Sequence, residues 1–265
     1  MKIQILSDLH NEFLRNGRST PAHHWNGIIP ETDADVIILA GDIDVGTLGI
    51  EWAIQESTRL CKPVVYVPGN HEFYHHEYFS LKTEMIDLCR GTDVNCLSSG
   101  VFIHSDVRII GTTLWTDYAV NTQVPIDLVM ESAISRMPDH RIIKFKSGGE
   151  TRVFLPSDAL LIHQKELSWI EQQLARPFEG KTVVVTHHGP HPACQHPGFQ
   201  VSEITGAFHS DLTNIINAYD IDLWVYGHTH ANLDVVESNT RIVANQAGYP
   251  GENVTCFSND FIVTL

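Results

Sequence analysis

Apolar, β-branched runs recur along this chain, and five of them stop at carboxylate, imidazole or amide side chains. Residues 2–7 lead into Asp8-Leu9-His10. Residues 36–40 lead into Gly41-Asp42-Ile43-Asp44, and residues 64–67 lead toward Gly69-Asn70-His71-Glu72. Residues 182–186 are followed by His187-His188-Gly189-Pro190, and residues 223–226 by Gly227-His228-Thr229-His230. A sixth run covers 107–113. Continuous runs of this kind suit strands buried on both faces. In α/β sheets, the carboxyl ends of strands are where sites assemble.

Between the runs lie helical patterns. The clearest covers 158–174, with Leu160, Leu167, Ile170 and Leu174 on one face, Ser157 as N-cap, and Pro177 and Gly180 beyond its end. Weaker patterns cover 77–90 and 211–219, and 231–265 reads as strands alone. Residues 117–156 break the rhythm, with a helix near 125–137 and then polar, Gly-containing sequence, so this stretch reads as a small cap or insertion. The expected fold is α/β, with β-sheets packed together and helices outside. Residues 1–265 are expected to form a single domain.

Bulk properties narrow the function. A formal net charge of −15 disfavours long nucleic acids as partners. A small phosphorylated substrate stays compatible, because bound metals reverse the local field. No apolar run reaches the length of a membrane span. The apolar N-terminal stretch is too short for a signal peptide, which points to the cytoplasm. The five cysteines are scattered and form no Cys-X-X-Cys pair, so reduced thiols are expected rather than a disulfide framework or thiolate zinc site. Sixteen histidines, by contrast, invite a search for metal-ligand spacing.

Carboxylate oxygen and imidazole nitrogen suit Mn, Fe, Zn, Co or Ni ions. Asp8-X-His10 and His228-X-His230 each place alternate side chains on one side of an extended segment. The glycines before Asp42, Asn70 and His228 permit sharp turns at strand ends.

In this order, Asp-X-His, Gly-Asp, Gly-Asn-His-Glu, His and Gly-His-X-His resemble the blocks of the calcineurin-like metallophosphoesterase superfamily. They span residues 8 to 230. The resemblance implies a sandwich of two mixed β-sheets flanked by α-helices, and two divalent metal ions. It assigns Asp8, His10 and His230 to one metal, Asn70, His187 and His228 to the other, and Asp42 as the bridge. His71 would face the substrate as general acid, with Asn70 also steadying phosphoryl oxygens. The implied activity is hydrolysis of small phosphomonoesters or phosphodiesters, nucleotides included. A hydroxide shared by the two metals would attack phosphorus.

The chain departs from the family where some members carry an Asp three positions after the bridging Asp. Here that position is Val45, and Asp44 is the nearby carboxylate, either orienting His71 or capping a turn. His187 is taken as the ligand of the His187-His188 pair, with His188 left for substrate. Further candidates for the pocket are His191, His196 and His209, Arg141 in the basic stretch 136–152, and Asn245 and Tyr249 near the C-terminus. A solvated face competes for Arg141, and a simple turn for the last two. His23, His24, His75, His76, His104, His140 and His163 read as surface or ordinary core residues. The competing functions are a nuclease of the same superfamily, a protein phosphatase, and a metal-bound scaffold without catalysis.

Overall fold

The structure is a computed structural model and describes residues 1–17 and 25–265, so His23 and His24 lie outside the described residues. Six strands coincide with the apolar runs: β1 (Lys2–Leu6), β2 (Val36–Leu39), β3 (Val64–Tyr66), β6 (Val107–Thr112), β9 (Lys181–Thr186) and β10 (Leu223–Val225). The others are β4 (Val94–Cys96), β5 (Gly100–His104), β7 (Lys144–Ser147), β8 (Glu150–Val153), β11 (Leu233–Glu237), β12 (Thr240–Ala244) and β13 (Ile262–Thr264). The helices are α1 (Asn11–Arg15), α2 (Leu48–Leu60), α3 (Tyr78–Leu88), α4 (Ile126–Arg136), α5 (Asp139–Ile142), α6 (Pro156–Leu174) and α7 (Thr213–Ala218).

Two mixed sheets form the centre, one ordered β13-β1-β2-β3-β4 and the other β11-β12-β10-β9-β6-β5. Strands β1 to β4 run parallel, as do β12, β10, β9 and β6, and the antiparallel strands β13, β11 and β5 occupy three of the four edges. Alternation of side chains along each strand explains the layering. Ile3, Ile5, Ile38 and Val65 of one sheet meet Ile109, Val183, Val185 and Val225 of the other in a dry inner layer. The opposite faces carry Ile37, Leu39 and Tyr66 toward α2 and α3, and Ile110, Val184 and Trp224 toward α6 and α7. Burying one such Val or Ile stabilises the fold by roughly 1.5–3 kcal/mol, which is why every run is apolar throughout.

Helix α6 begins one residue before the expected cap. Leu155 occupies the N-cap position, Pro156 opens the helix, and Asp158 accepts the Leu155 amide hydrogen at 2.9 Å. Ser157 is therefore inside the helix rather than its cap. The 117–156 stretch folds as α4, α5 and the β7–β8 hairpin, packed on α3 and α6. Among the described residues, no helix is long and apolar enough to cross a membrane. All five cysteines are free thiols.

Strands β1, β2 and β3 share one direction, as do β9, β10 and β12, and a parallel bridge between Ser7 and Gln246 aligns the two sets, so their carboxyl ends open on one side. There the two sheets are stitched together. Ser7 N–H donates to Asn245 O at 3.0 Å, and Ala247 N–H donates to Ser7 O at 3.1 Å.

Candidate metal centre

Seven side chains from both sheets converge at this rim: Asp8, His10, Asp42, Asn70, His187, His228 and His230. All are buried or nearly so. Ligand-type atoms of Asp8, His10 and His230 lie within 4.8 Å of one another, as do those of Asp42, His187 and His228. Asp42 stands between the sets, with Oδ2 3.9 Å from His10 Nε2 and Oδ1 3.4 Å from His187 Nε2.

The backbone is bent to achieve this. Asp8, His10, Asp42, His228 and His230 all have positive φ, between 47° and 71°. These segments are not extended, so the expected alternate-side geometry of Asp8-X-His10 and His228-X-His230 is corrected to a pair of left-handed turns. Asp and His tolerate that region better than most residues. Each still costs on the order of 1–3 kcal/mol, and such strain gathers at functional sites. Of the three glycines, only Gly41 needs positive φ, at +90°. Gly69 and Gly227 serve close approach instead. A Cβ on Gly69 would sit 2.2 Å from Asp42 Oδ1, and one on Gly227 would sit 2.2 Å from Ser7 Oγ.

Hydrogen bonds behind the site fix which nitrogen faces inward. His10 Nδ1 donates to Glu12 Oε1 at 3.0 Å, His187 Nδ1 donates to Ala40 O at 2.9 Å, and His230 Nδ1 donates to Glu252. Each ring therefore commits Nδ1 to the acceptor behind it and turns Nε2 inward, where it offers a lone pair once its proton is displaced. Those lone pairs face other acceptors. His10 Nε2 and His230 Nε2 are 3.2 Å apart, and His187 Nε2 is 3.0 Å from Asn70 Oδ1. The Asn70 amide is oriented by Nδ2, which donates to Tyr74 Oη at 3.1 Å. His228 Nε2 is buried without a partner. Acceptors held against acceptors, backed by carboxylates and carbonyls, form the arrangement that a cation completes. The donor set thus fits divalent metals.

Electrostatics agree. Burial opposes charge on His187 and His230, yet Asp42 pushes His187 up to about 9, and Asp8 with Glu252 pushes His230 up to about 10. Asp42 itself is held well below the usual carboxylate range, against its burial, by His187, His71 and His10. The carboxylates attract positive charge strongly, and a metal competes with protons for the same nitrogens.

Glu72 frames the centre from below. It accepts from Gly69 N (2.7 Å), Asp42 N (3.1 Å), Ile43 N (2.9 Å) and Tyr66 Oη (2.6 Å), tying the β2 loop to the β3 loop.

His71 stands beside the cluster, with Nε2 3.9 Å from Asp42 Oδ2. Its backbone N–H donates to Asp42 Oδ1 at 2.8 Å. Its Nδ1 lies 3.2 Å from Glu12 Oε1 and its Nε2 2.8 Å from Tyr249 Oη. Asp44 takes no part, because Arg15 Nε donates to it at 3.0 Å. Glu12 was missed by sequence reasoning. Its position two residues past His10 was the available signal.

Other expectations resolve individually. His188 is buried behind the centre, its ring 4.2 Å from that of His228, so it does not line the cavity. His191 caps a short turn, where Nδ1 accepts from Ala193 N–H at 3.1 Å. Arg141 is exposed and donates to Ser135 O, Arg136 pairs with Glu203, and Arg152 pairs with Asp158. Arg141 and Arg152 therefore belong to a solvated face, whereas the start of the stretch, Arg136 to Pro138, lines the cavities beside the centre. Asn245 is a structural tie, donating to Ile5 O and Ser258 O at 2.7 Å each. His140 and His163 are core residues, and His75 and His76 are exposed.

A cavity of about 620 Å³ opens over the cluster, walled by Met137 and Pro138 of the cap, Phe199, Phe208, Tyr249 and Val254. His196 lines it too. It shares His196, Phe199, Phe208 and Thr229 with a second cavity of about 350 Å³, which His209 also lines.

The family model described as calcineurin-like phosphoesterase matches residues 1–232. An uncharacterized protein, L509, of Acanthamoeba polyphaga mimivirus is 25% identical over 266 residues, covering 94% of this chain and 92% of the relative. Phosphopantetheinyl hydrolase from Mycobacterium tuberculosis has a similar fold, with TM-score 0.70, 19% identity, and coverage of 94% of this chain and 90% of that one. A putative 5'-nucleotidase from Staphylococcus aureus superposes with TM-score 0.50 and 16% identity, over 93% of this chain and 49% of its own.

Proposed function

The chain belongs to the calcineurin-like phosphoesterase family, and we propose that it hydrolyses small organic phosphate esters at a dinuclear metal site. We read residues 1–265 as one unit of that kind, because both sheets supply ligands. One observation carries the reading: paired lone-pair donors, His10 with His230 and His187 with Asn70, face each other across Asp42. Asp8, His10 and His230 would hold one metal, Asn70, His187 and His228 the other, with Asp42 between them. The ligand set suits Mn, Fe or Zn, and also Co or Ni. When bound, the metals supply positive charge that acidifies a water and neutralises phosphoryl oxygens.

The chain's own residues do the rest. Asn70, fixed by Tyr74, presents its oxygen inward. His71 stands beside the centre and, starting as the doubly protonated ring, gives its Nε2 proton to the leaving oxygen as the bond from phosphorus to that oxygen breaks, which leaves the Nδ1–H form held by Glu12. Met137, Pro138, Phe199 and Phe208 present apolar surface to the leaving group's side.

The apolar wall and the adjoining second cavity favour an extended organic leaving group. A phosphopantetheinyl ester, the substrate class named for the Mycobacterium tuberculosis relative, falls within this range. The nuclease alternative fits less well with a chain of net charge −15. A non-catalytic scaffold would have no use for His71 gripped between Glu12 and Tyr249.

The test is hydrolysis of p-nitrophenyl phosphate and bis-p-nitrophenyl phosphate by metal-stripped protein with and without added Mn²⁺. Metal-dependent turnover, absent in Asp42→Ala, supports the reading. Stoichiometric metal binding without turnover of any ester would move the weight to the scaffold.

A further inference from the structure

Glu12 accepts from two histidines through one oxygen. Oε1 lies 3.0 Å from His10 Nδ1 and 3.2 Å from His71 Nδ1, and the two imidazole centroids are 4.5 Å apart. The carboxylate is mostly buried, and its other oxygen, Oε2, is buried with no partner. Asp44 is turned away into its pair with Arg15, and Val45 has no acceptor to offer. Glu12 sits in α1, whose Phe13 also packs edge-on against the rings of His10 and Tyr249.

We propose that Glu12 is the positioning residue for His71, and that it couples His71 to the metal ligand His10. This role deepens the phosphoesterase reading and rests on it for its catalytic meaning. With Nδ1–H committed to Glu12, the only part of the His71 ring left to face the cavity is the Nε2 edge, where Tyr249 Oη stands 2.8 Å away. Tyr74 lies tilted over one face of the ring with centroids 4.1 Å apart, and Glu12 and Tyr249 hold the two ring nitrogens, Glu12 with the only charged group of the three. A ring so held meets the leaving oxygen with one nitrogen and one direction. Because the same oxygen fixes His10, a change in the charge at Glu12 is felt at both rings.

Glu12→Gln and Glu12→Ala separate charge from geometry. A glutamine carbonyl still accepts from both rings, whereas alanine leaves both Nδ1 atoms without a partner. Turnover would be measured on phenyl phosphate, whose leaving oxygen needs a proton, beside p-nitrophenyl phosphate, whose leaving oxygen needs it far less. For Glu12→Ala we expect kcat on phenyl phosphate to fall ~100-fold and kcat on p-nitrophenyl phosphate ~10-fold or less, with little change in KM. Glu12→Gln should recover much of the difference. Metal content of each protein would be measured alongside.

A second readout needs no activity. Long-range ¹⁵N–¹H correlation spectra of the metal-free protein, with His71 assigned by its loss in His71→Ala, report which ring nitrogen carries hydrogen. Nδ1–H in the wild type, lost or exchanged to Nε2–H in Glu12→Ala, supports the proposal. An unchanged His71 tautomer in Glu12→Ala, an equal fall on both esters at equal metal content, or a loss of metal with the leaving-group ratio of Glu12→Gln unaltered would overturn it. A wild type inactive on every ester sinks the phosphoesterase reading alone, since the imidazole spectrum still decides whether Glu12 holds His71.

Discussion

His71 and Asp42 do different work although they touch. Asp42 offers one oxygen to each half of the cluster, whereas His71, though grouped with His10 and Asp42 within 4.8 Å, has Nδ1 at Glu12 (3.2 Å) and Nε2 at Tyr249 (2.8 Å). His71→Ala should therefore keep its metals and lose turnover by about 100- to 10,000-fold, the range expected for a general acid. Metal analysis beside kcat checks this, and collapse of the metal content would move His71 into the ligand set. At this scale the sequence was legible where chemistry follows motif. All seven candidate ligands meet at the rim, because each directly follows or closely trails a buried strand. Tyr249 was named as a pocket candidate and does line the cavity, but its contact with His71, and that of Glu12, join residues 178 and 59 apart, which no local spacing encodes. Asn245 and Arg141 show the converse, since residue type alone does not separate a ligand contact from a backbone tie or a solvated face.

Elements set the precision of the site. The loops after β1, β2, β3 and β10 approach so closely that glycine is required where they cross. Gly227→Ala would press a methyl group against Ser7 Oγ and Asp8 Oδ2, at 2.2 and 2.6 Å before relaxation. The expected result is a loss of stability of roughly 1–3 kcal/mol from overpacking, together with weakened metal binding through displaced Asp8. Denaturant melts and metal titration of the purified variant would show both. Unchanged metal affinity would mean that the β1 loop yields without moving its ligand. The six apolar strands were legible because burial on both faces leaves no polar alternation to confuse. Helix α2 was passed over, since its buried face carries Gly49, Glu56 and Ser57 beside Ile50 and Ala53 and lacks a clean apolar stripe. The start of α6 shifted because Asp158, inside the first turn, secures the Leu155 amide and makes Ser157 unnecessary as a cap.

The molecule as a whole is two sheets sharing one rim, and the rim concentrates carboxylates in a chain already at net charge −15. Mutual repulsion and strained backbone there oppose folding, and bound cations relieve the first. Chelation should lower stability by about 3–4 kcal/mol if metals are normally present at several hundred times their dissociation constant. For a chain of this size that is a fall of roughly 6–16 °C in Tm. Thermal melts with chelator, and again after Mn²⁺ is restored, check it. An identical melting point in both would separate the site from the fold. The layered architecture was readable from strand runs and flanking helices. The stitch between Ser7 and Asn245–Ala247 was not, because it joins the first strand to a loop near the other end of the chain.

The most direct test of the dinuclear claim is a crystal structure of the Mn²⁺-loaded protein with anomalous scattering recorded at the metal. The account predicts two anomalous peaks about 3.5–4 Å apart, both touching Asp42, one among Asp8, His10 and His230 and the other among Asn70, His187 and His228. A single peak, or none with the histidine nitrogens hydrogen-bonded to one another, would contradict it.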